Sequence, residues 1–314
     1  MEKEPITVDI VIPTYKRPKL LRRAIESALD QTYPYILQII VTDDACDTET
    51  KQIVESYMNR DLRVFYVCNT KYKHGPTGNK NNGMDFVKSD YFLILDDDDS
   101  LVPDAVERLI SAASHGNFDF VFSNCLDSSG NYTGKHYGKS ELARYEDFLC
   151  GKFDGEYLWL YPSKCIAKLK FDDTLYGGEH ISIWEAIKGS KVFYLHLPLR
   201  KYNTQGERVS SNFQNKAHLL FPIYLKTVDK FGDDLATYCP RRLLYFTLLL
   251  FSSAKLSGHI EQVKNYPIKY LRKTKNFAFI LPCLVVPVPK AFLLRTWEGV
   301  RAMKAKRKTE NEIK

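Results

Sequence analysis

A chain of 314 residues with 44% apolar content can bury a real hydrophobic core, as one large domain or two small ones. Seven scattered cysteines, odd in number and without a C-x-x-C pair, argue against a disulfide framework and a structural zinc site, and fit a reducing cytoplasm. The net charge of +7 conceals an asymmetry: residues 236–314 carry 16 Lys and Arg against 4 Glu, while the first 235 carry 29 against 34. An acidic body and a basic end suggest chemistry in the first and attachment to something anionic by the second. The opening Met1-Glu-Lys-Glu-Pro-Ile-Thr has neither the basic region nor the apolar core of a signal peptide, which argues against export.

Val8-Asp-Ile-Val-Ile12 is a β-branched run, and after the loop Pro13-Thr-Tyr-Lys-Arg-Pro18 the apolar residues Leu20, Leu21, Ala24, Ile25, Ala28 and Leu29 recur at helical spacing. Gln38-Ile-Ile-Val-Thr42 predicts a second strand ending at Asp43-Asp44, with a helix over 48–58 and a third strand at Arg63–Val67. The Gly- and Asn-rich segment His74–Gly83 reads as a loop before a short helix at about 84–87. Tyr91–Leu95 then runs into Asp96, Asp97, Asp98 and Asp99, with Pro103 marking the next helix start.

Alternating strands and helices predict an α/β, doubly wound, mostly parallel sheet. The carboxyl ends of its strands should then face one ligand crevice. Four adjacent carboxylates at such an edge make a site of high negative potential, which a cation or a set of donors would stabilise; a solvated acidic turn is the plainer alternative. Neither G-x-G-x-x-G nor G-x-x-x-x-G-K-[ST] is present. Hard carboxylate oxygens would therefore suit Mg²⁺ or Mn²⁺ bridging to a diphosphate.

Val8–Tyr15, Ile39–Asp44, the G-N-K-N-N-G of 78–83 and Leu95–Pro103 together resemble the family-2 glycosyltransferases of GT-A fold, across roughly residues 6–210. That resemblance implies a nucleotide-sugar donor bound through a D-x-D motif. It places Pro13, Thr14 and Tyr15 at the nucleobase, Asp43 on the base imide N–H (favouring UDP), Asp96 and Asp97 near the ribose, and Asp98 on Mn²⁺ or Mg²⁺. Lys80 falls where a cation touches the diphosphate, though a surface lysine remains open, and Arg208 falls in a loop that closes over the phosphates.

Family members carry Glu-Asp where this chain has Glu179-His180, so the implied general base is Glu179, with His180 as the other candidate. Trp184 is a candidate acceptor-stacking residue, against the plainer reading of an aromatic in the core. The implied enzyme is an inverting, metal-dependent hexosyl- or N-acetylhexosaminyltransferase acting on a lipid-linked or cell-surface glycan. A nucleotidyltransferase, or a non-catalytic nucleotide-sugar- or glycan-binding protein of the same fold, are the alternatives.

Domain boundaries are expected as 1–235, catalytic, and 236–314, helical and basic. Within the latter, the run ending at Phe251 and the Pro-interrupted 277–288 are too short to span a bilayer. From Lys290 onward Leu293, Trp297, Val300 and Met303 alternate with Lys and Arg at helical spacing. That pattern predicts an interfacial helix on an anionic cytoplasmic leaflet, with no nucleic-acid partner.

Overall fold

A computed structural model describes residues 4–136, 138–203, 213–285 and 287–289, with the side chains of 213–216 outside that description. Two compact units divide the chain, 1–206 and 207–314.

The strands of the first unit are β1 (Val8–Thr14), β2 (Ile36–Asp43), β3 (Val64–Cys68), β4 (Tyr91–Ile94), β5 (Ser100–Leu101), β6 (Phe120–Leu126), β7 (Glu141–Ala143), β8 (Tyr157–Pro162) and β9 (Val192–Lys201). They form one sheet in the order β3-β2-β1-β4-β8-β6-β9-β5, with β7 on β9. The first four are mutually parallel, β8 is antiparallel to both β4 and β6, and β6 and β9 are parallel again. Every residue of β1 is buried, as expected of a parallel strand covered on both faces.

The helices of this unit are α1 (Pro18–Leu29), α2 (Thr48–Met58), α3 (Pro76–Met84), α4 (Ala105–Gly116), α5 (Tyr145–Leu149), α6 (Ile166–Leu169) and α7 (His180–Ile187). In α1, Leu21, Ala24, Ile25 and Ala28 form one buried stripe, packed with Ile10, Ile12, Ile39 and Leu93 of the sheet.

The segment expected as a loop at 74–83 is instead α3, begun by Pro76. Asn is a poor helix former because its amide competes for local backbone groups. Here those amides are spent on other elements. Asn79 donates to the Thr14 and Thr42 carbonyls at 3.0 and 2.9 Å, and Asn82 donates to Thr42 Oγ1 at 2.9 Å. Asn81 donates to the Phe171 carbonyl and accepts from its N–H, at 2.8 and 2.9 Å. Gly83 allows the close approach, since a Cβ there would sit 2.4 Å from Val11 Cγ1.

Parallel register sets Thr14 beside Asp43 and Asp43 beside Cys68, so the three strand ends meet in one row. Cys46, in the loop after β2, is thereby brought to Cys68 and forms a disulfide with it, Cα atoms 5.2 Å apart. This covalent link is a departure from the expectation of unpaired thiols, and it follows from long-range register that cysteine spacing does not reveal.

The second unit contains α8 (Phe213–Tyr238), α9 (Pro240–Ser257), α10 (Tyr266–Thr274) and α11 (Leu281–Leu284). Helix α8 runs straight through position 235. It packs along α9, and Gly232 admits the Tyr270 ring of α10, whose hydroxyl donates to the Val228 carbonyl at 3.1 Å. Among the described residues no helix is long and apolar enough to cross a membrane.

Asn79→Ala should remove one hydrogen-bond donor from each of two buried carbonyls, those of Thr14 and Thr42, and lower stability by about 1–3 kcal/mol. Gly83→Ala should cost a similar amount, roughly 1–3 kcal/mol, by forcing α3 off β1. Urea unfolding followed by circular dichroism checks both, and an unchanged midpoint in Asn79→Ala would remove α3's bracing role.

Candidate active site

The acidic corner leaves the end of β4 as a turn closed by the Asp99 N–H on the Asp96 carbonyl at 3.0 Å. Its carboxylates alternate in direction. The side chains of Asp96 and Asp98 are 37% and 25% exposed, while Asp97 and Asp99 are wholly buried.

Asp97 accepts from Thr14 Oγ1 at 2.7 Å and Arg17 Nε at 3.2 Å, and Arg17 Nη2 lies 2.5 Å from its other oxygen. Burial pushes its pKa up to about 6, although the Arg17 guanidinium pulls the other way. Asp99 faces Arg200, with Nε 3.4 Å away, and accepts from the Asn203 N–H at 2.8 Å; burial pushes it up to about 7. Arg17 Nη1 also donates to Asp98 at 2.8 Å, and Arg23 donates to the Asp98 carbonyl.

Asp97, expected near the ribose, is buried and paired with Thr14 and Arg17. It acts as the anchor of the corner, tied to β1 and to the start of α1.

Lys80, on α3, is not a surface lysine. Its ammonium stands 3.4 Å from Asp96 Oδ1 and 3.4 Å from Glu179 Oε1. Burial disfavours its charge, but Asp96 and then Glu179 outweigh that and hold its pKa above the usual lysine range. Burial likewise works against the charge of Asp96, yet Lys80, Arg200 and Arg17 keep it below the usual carboxylate range.

On the side of β1 and β2, Tyr15 is 54% exposed, followed by exposed Lys16 and Arg17, whereas Pro13 and Thr14 are buried. Thr14 is committed to Asp97. Asp43 is fully buried and accepts from the Ala45 and Asp47 N–H groups at 2.9 and 3.1 Å and from the Tyr66 hydroxyl at 2.9 Å. Desolvation raises its pKa, and the hydrogen bonds from Ala45 and Tyr66 oppose that. Its neighbour Asp44 binds Asn69 Nδ2 at 2.7 Å and the Gly75 N–H at 2.8 Å, fixing the entry to α3.

Glu179 stands at the N-terminus of α7, after Gly177 and Gly178, whose φ values of +101° and +84° only glycine adopts without strain. The preceding loop is clamped to α3 by the Asn81–Phe171 pair and by Thr77, whose hydroxyl donates to the Leu175 carbonyl at 3.0 Å. His180 packs edge-on against Trp184 at 4.9 Å, and the indole is buried, the arrangement of the plainer reading of an aromatic in the core. Arg208 lies outside the described residues.

The structure therefore joins Asp96 and Glu179 through Lys80, leaves Asp98 partly exposed on the same turn as Asp96, and buries Asp97 and Trp184. The residues that sequence reasoning missed are Arg17, Arg200 and the asparagines of α3. A cation directly after the first strand, in Lys16-Arg17-Pro18, was the available signal for Arg17.

Arg17→Ala should destabilise the protein by about 1–3 kcal/mol, because Asp97 stays buried while the half-exposed guanidinium is lost. Arg17→Lys, which keeps the charge but not the two-pronged contact, should lose less. Thermal melts order the three proteins, and equal melting for wild type and Arg17→Ala would contradict the anchor.

The model of glycosyl transferase family 2 matches residues 9–171, more than half of the chain. A GalNAc(5)-diNAcBac-PP-undecaprenol beta-1,3-glucosyltransferase of Campylobacter jejuni is 34% identical over 235 residues, 73% of this chain and 75% of that relative. An uncharacterised glycosyltransferase of Rickettsia typhi is 35% identical over 238 residues, 71% of this chain and 73% of that protein. Among solved structures, Staphylococcus aureus TarS 1–349 in complex with UDP-GlcNAc superposes with a TM-score of 0.60 at 13% identity. The match covers 86% of this chain and 89% of that one, a likeness of fold. With the acidic turn after β4 and the GT-A sheet that carries it, these matches make the chain a member of glycosyltransferase family 2.

Proposed function

We propose that the chain is an inverting, metal-dependent glycosyltransferase that moves a hexosyl or N-acetylhexosaminyl group from a UDP-sugar to a hydroxyl of a lipid-linked or cell-surface glycan, with its chemistry in the first unit. The observation that carries this reading is the single ammonium of Lys80, 3.4 Å from both Asp96 and Glu179. It joins a carboxylate suited to the donor with one suited to the acceptor. The Campylobacter relative, named for glucosyl transfer to an undecaprenol-diphosphate saccharide, and the UDP-GlcNAc held by TarS favour the same substrate classes.

The residues present fit a divalent cation. Asp98, and Asp96 beside it, offer partly exposed hard oxygens, whereas Asp97 and Asp99 are consumed by Arg17 and Arg200. Mg²⁺ and Mn²⁺ commonly take one or two protein carboxylates and fill the rest of their shell from a diphosphate and water. Bound there, such an ion would offset the charge that develops on departing UDP.

The remaining work falls to side chains. Tyr15 offers a ring to the base, and Asp43 the spare acceptor capacity that a uracil imide requires. Asp96 faces the ribose, and Lys80 is available to the diphosphate once a donor claims Asp96. Arg208, in the segment after β9, is proposed for the phosphates. Glu179 takes the proton of the acceptor hydroxyl as its oxygen attacks C1 from the face opposite the diphosphate, so inversion follows without a covalent intermediate. The leaving diphosphate needs no protonation, and a second catalytic carboxylic acid is unnecessary. Attachment through the basic C-terminal region to the anionic inner face of the cell membrane would bring the enzyme to a lipid-linked acceptor.

UDP release from a panel of UDP-sugars with Mn²⁺ tests the assignment. Asp98→Ala should lower turnover on the order of 10²–10³-fold, and activity that survives it rejects the metal-donor arrangement. Glu179→Gln should lower transfer to acceptor on the order of 10²–10⁴-fold; full transfer in that variant moves the base to His180.

A further inference from the structure

Between Glu261 and Glu298 lie 36 residues without a single Asp or Glu, and seven of them are Lys or Arg. In the described part of this stretch, apolar side chains of core type face water. Phe277 is 78% exposed, and Ile280, Leu281 and Leu284 are each about half exposed.

The backbone accounts for it. Helix α10 stops at Lys275 in a left-handed conformation, and the Asn276 side chain accepts from the Ala278 N–H to start a single tight turn over Phe277–Ile280 that leads into α11. Phe279 turns inward and is fully buried, its ring 6.1 Å from that of Tyr270. With Phe279 anchored, its neighbours Phe277 and Ile280 are held outward.

Exposed cations precede the patch along the chain. Lys264 pairs with Glu261 and Lys273 with Asp233, but exposed Lys269, Arg272 and Lys275 make no ion pair among the described residues. A large exposed apolar cluster marks an interaction surface, and the cations that precede it decide the partner. A second copy meeting it face to face would bring the same unpaired cations together. An anionic bilayer satisfies both parts, since headgroups neutralise the cations while the apolar side chains enter the acyl boundary.

We propose that residues 268–284 are a lipid-docking patch, with Phe277, Ile280, Leu281 and Leu284 inserting into an anionic membrane surface and Lys269, Arg272 and Lys275 reading its headgroups. This deepens the membrane attachment proposed above, places it N-terminal to the amphipathic stretch that begins at Lys290, and rests on neither donor nor acceptor assignment.

Flotation of the full chain with vesicles, no sugar substrate present, tests it. Wild type should float with phosphatidylcholine vesicles containing phosphatidylglycerol, stay behind with phosphatidylcholine alone, and release as salt is raised. Replacing Lys269, Arg272 and Lys275 together by Gln should lower partition on the order of 100-fold. Phe277→Asp with Leu281→Asp should lower it at least on the order of 10-fold. All five positions are solvent-exposed, so melting temperatures should match wild type and separate lost docking from lost fold. No wild-type flotation at low salt, or flotation that neither variant set weakens, overturns the proposal. So does a dimer that Phe277→Asp with Leu281→Asp dissociates while flotation is unchanged. Because the readout is vesicle binding, a failed transfer assay leaves it untouched.

Discussion

The site depends on charge balance at the end of β4. Four consecutive aspartates would repel one another in isolation, yet the fold sets three cations among them: Arg17 on Asp97 and Asp98, Lys80 on Asp96, Arg200 on Asp99. Two of the carboxylates are removed from water outright, and their raised pKa values record what that burial costs. The corner is therefore nearly neutralised by the protein itself. Its partly exposed half, Asp96 and Asp98, is an arrangement of ion pairs rather than a bare anionic well, and in the proposed function it is these pairs that a cation and diphosphate would exchange.

That balance is built from remote parts of the chain. Arg17 opens α1, Lys80 is carried by α3 and Arg200 ends β9, so the corner forms only when the β1, β4 and β9 regions are assembled. The buried amides of α3 do the assembling on one side. They bond to β1 and β2 and to the loop before α7, which makes a weakly helical sequence into a brace under both halves of the crevice.

Much of this architecture was legible from local pattern. The β-branched runs, the periodicity of α1 and the strand ending in aspartates are signals contained in a few residues each, and the family motifs lay in the order the sheet requires. What was not legible is what long-range partners decide. Nothing within the Asp96–Asp99 run says that Asp97 points to a residue 80 positions earlier, or that Trp184 is buried against His180. Helix α3 was missed for the same reason: Asn reads as a loop former unless the carbonyls that capture its amide are known. The Cys46–Cys68 link depends on strand register in the same way.

The two clamps between α3 and the loop before α7 separate two kinds of change. Phe171 and Leu175 are pinned to the helix that also braces the ends of β1 and β2, whereas the Gly177-Gly178 pair follows the second clamp and leads directly into α7. Under the proposed assignment of Glu179 to the acceptor, substitutions after Leu175 would re-aim the acceptor hydroxyl while the strand ends of β1 and β2 keep their register. On that proposed division, a lineage built on this scaffold would be able to acquire a new glycosidic linkage without having to reinvent how it holds a nucleotide.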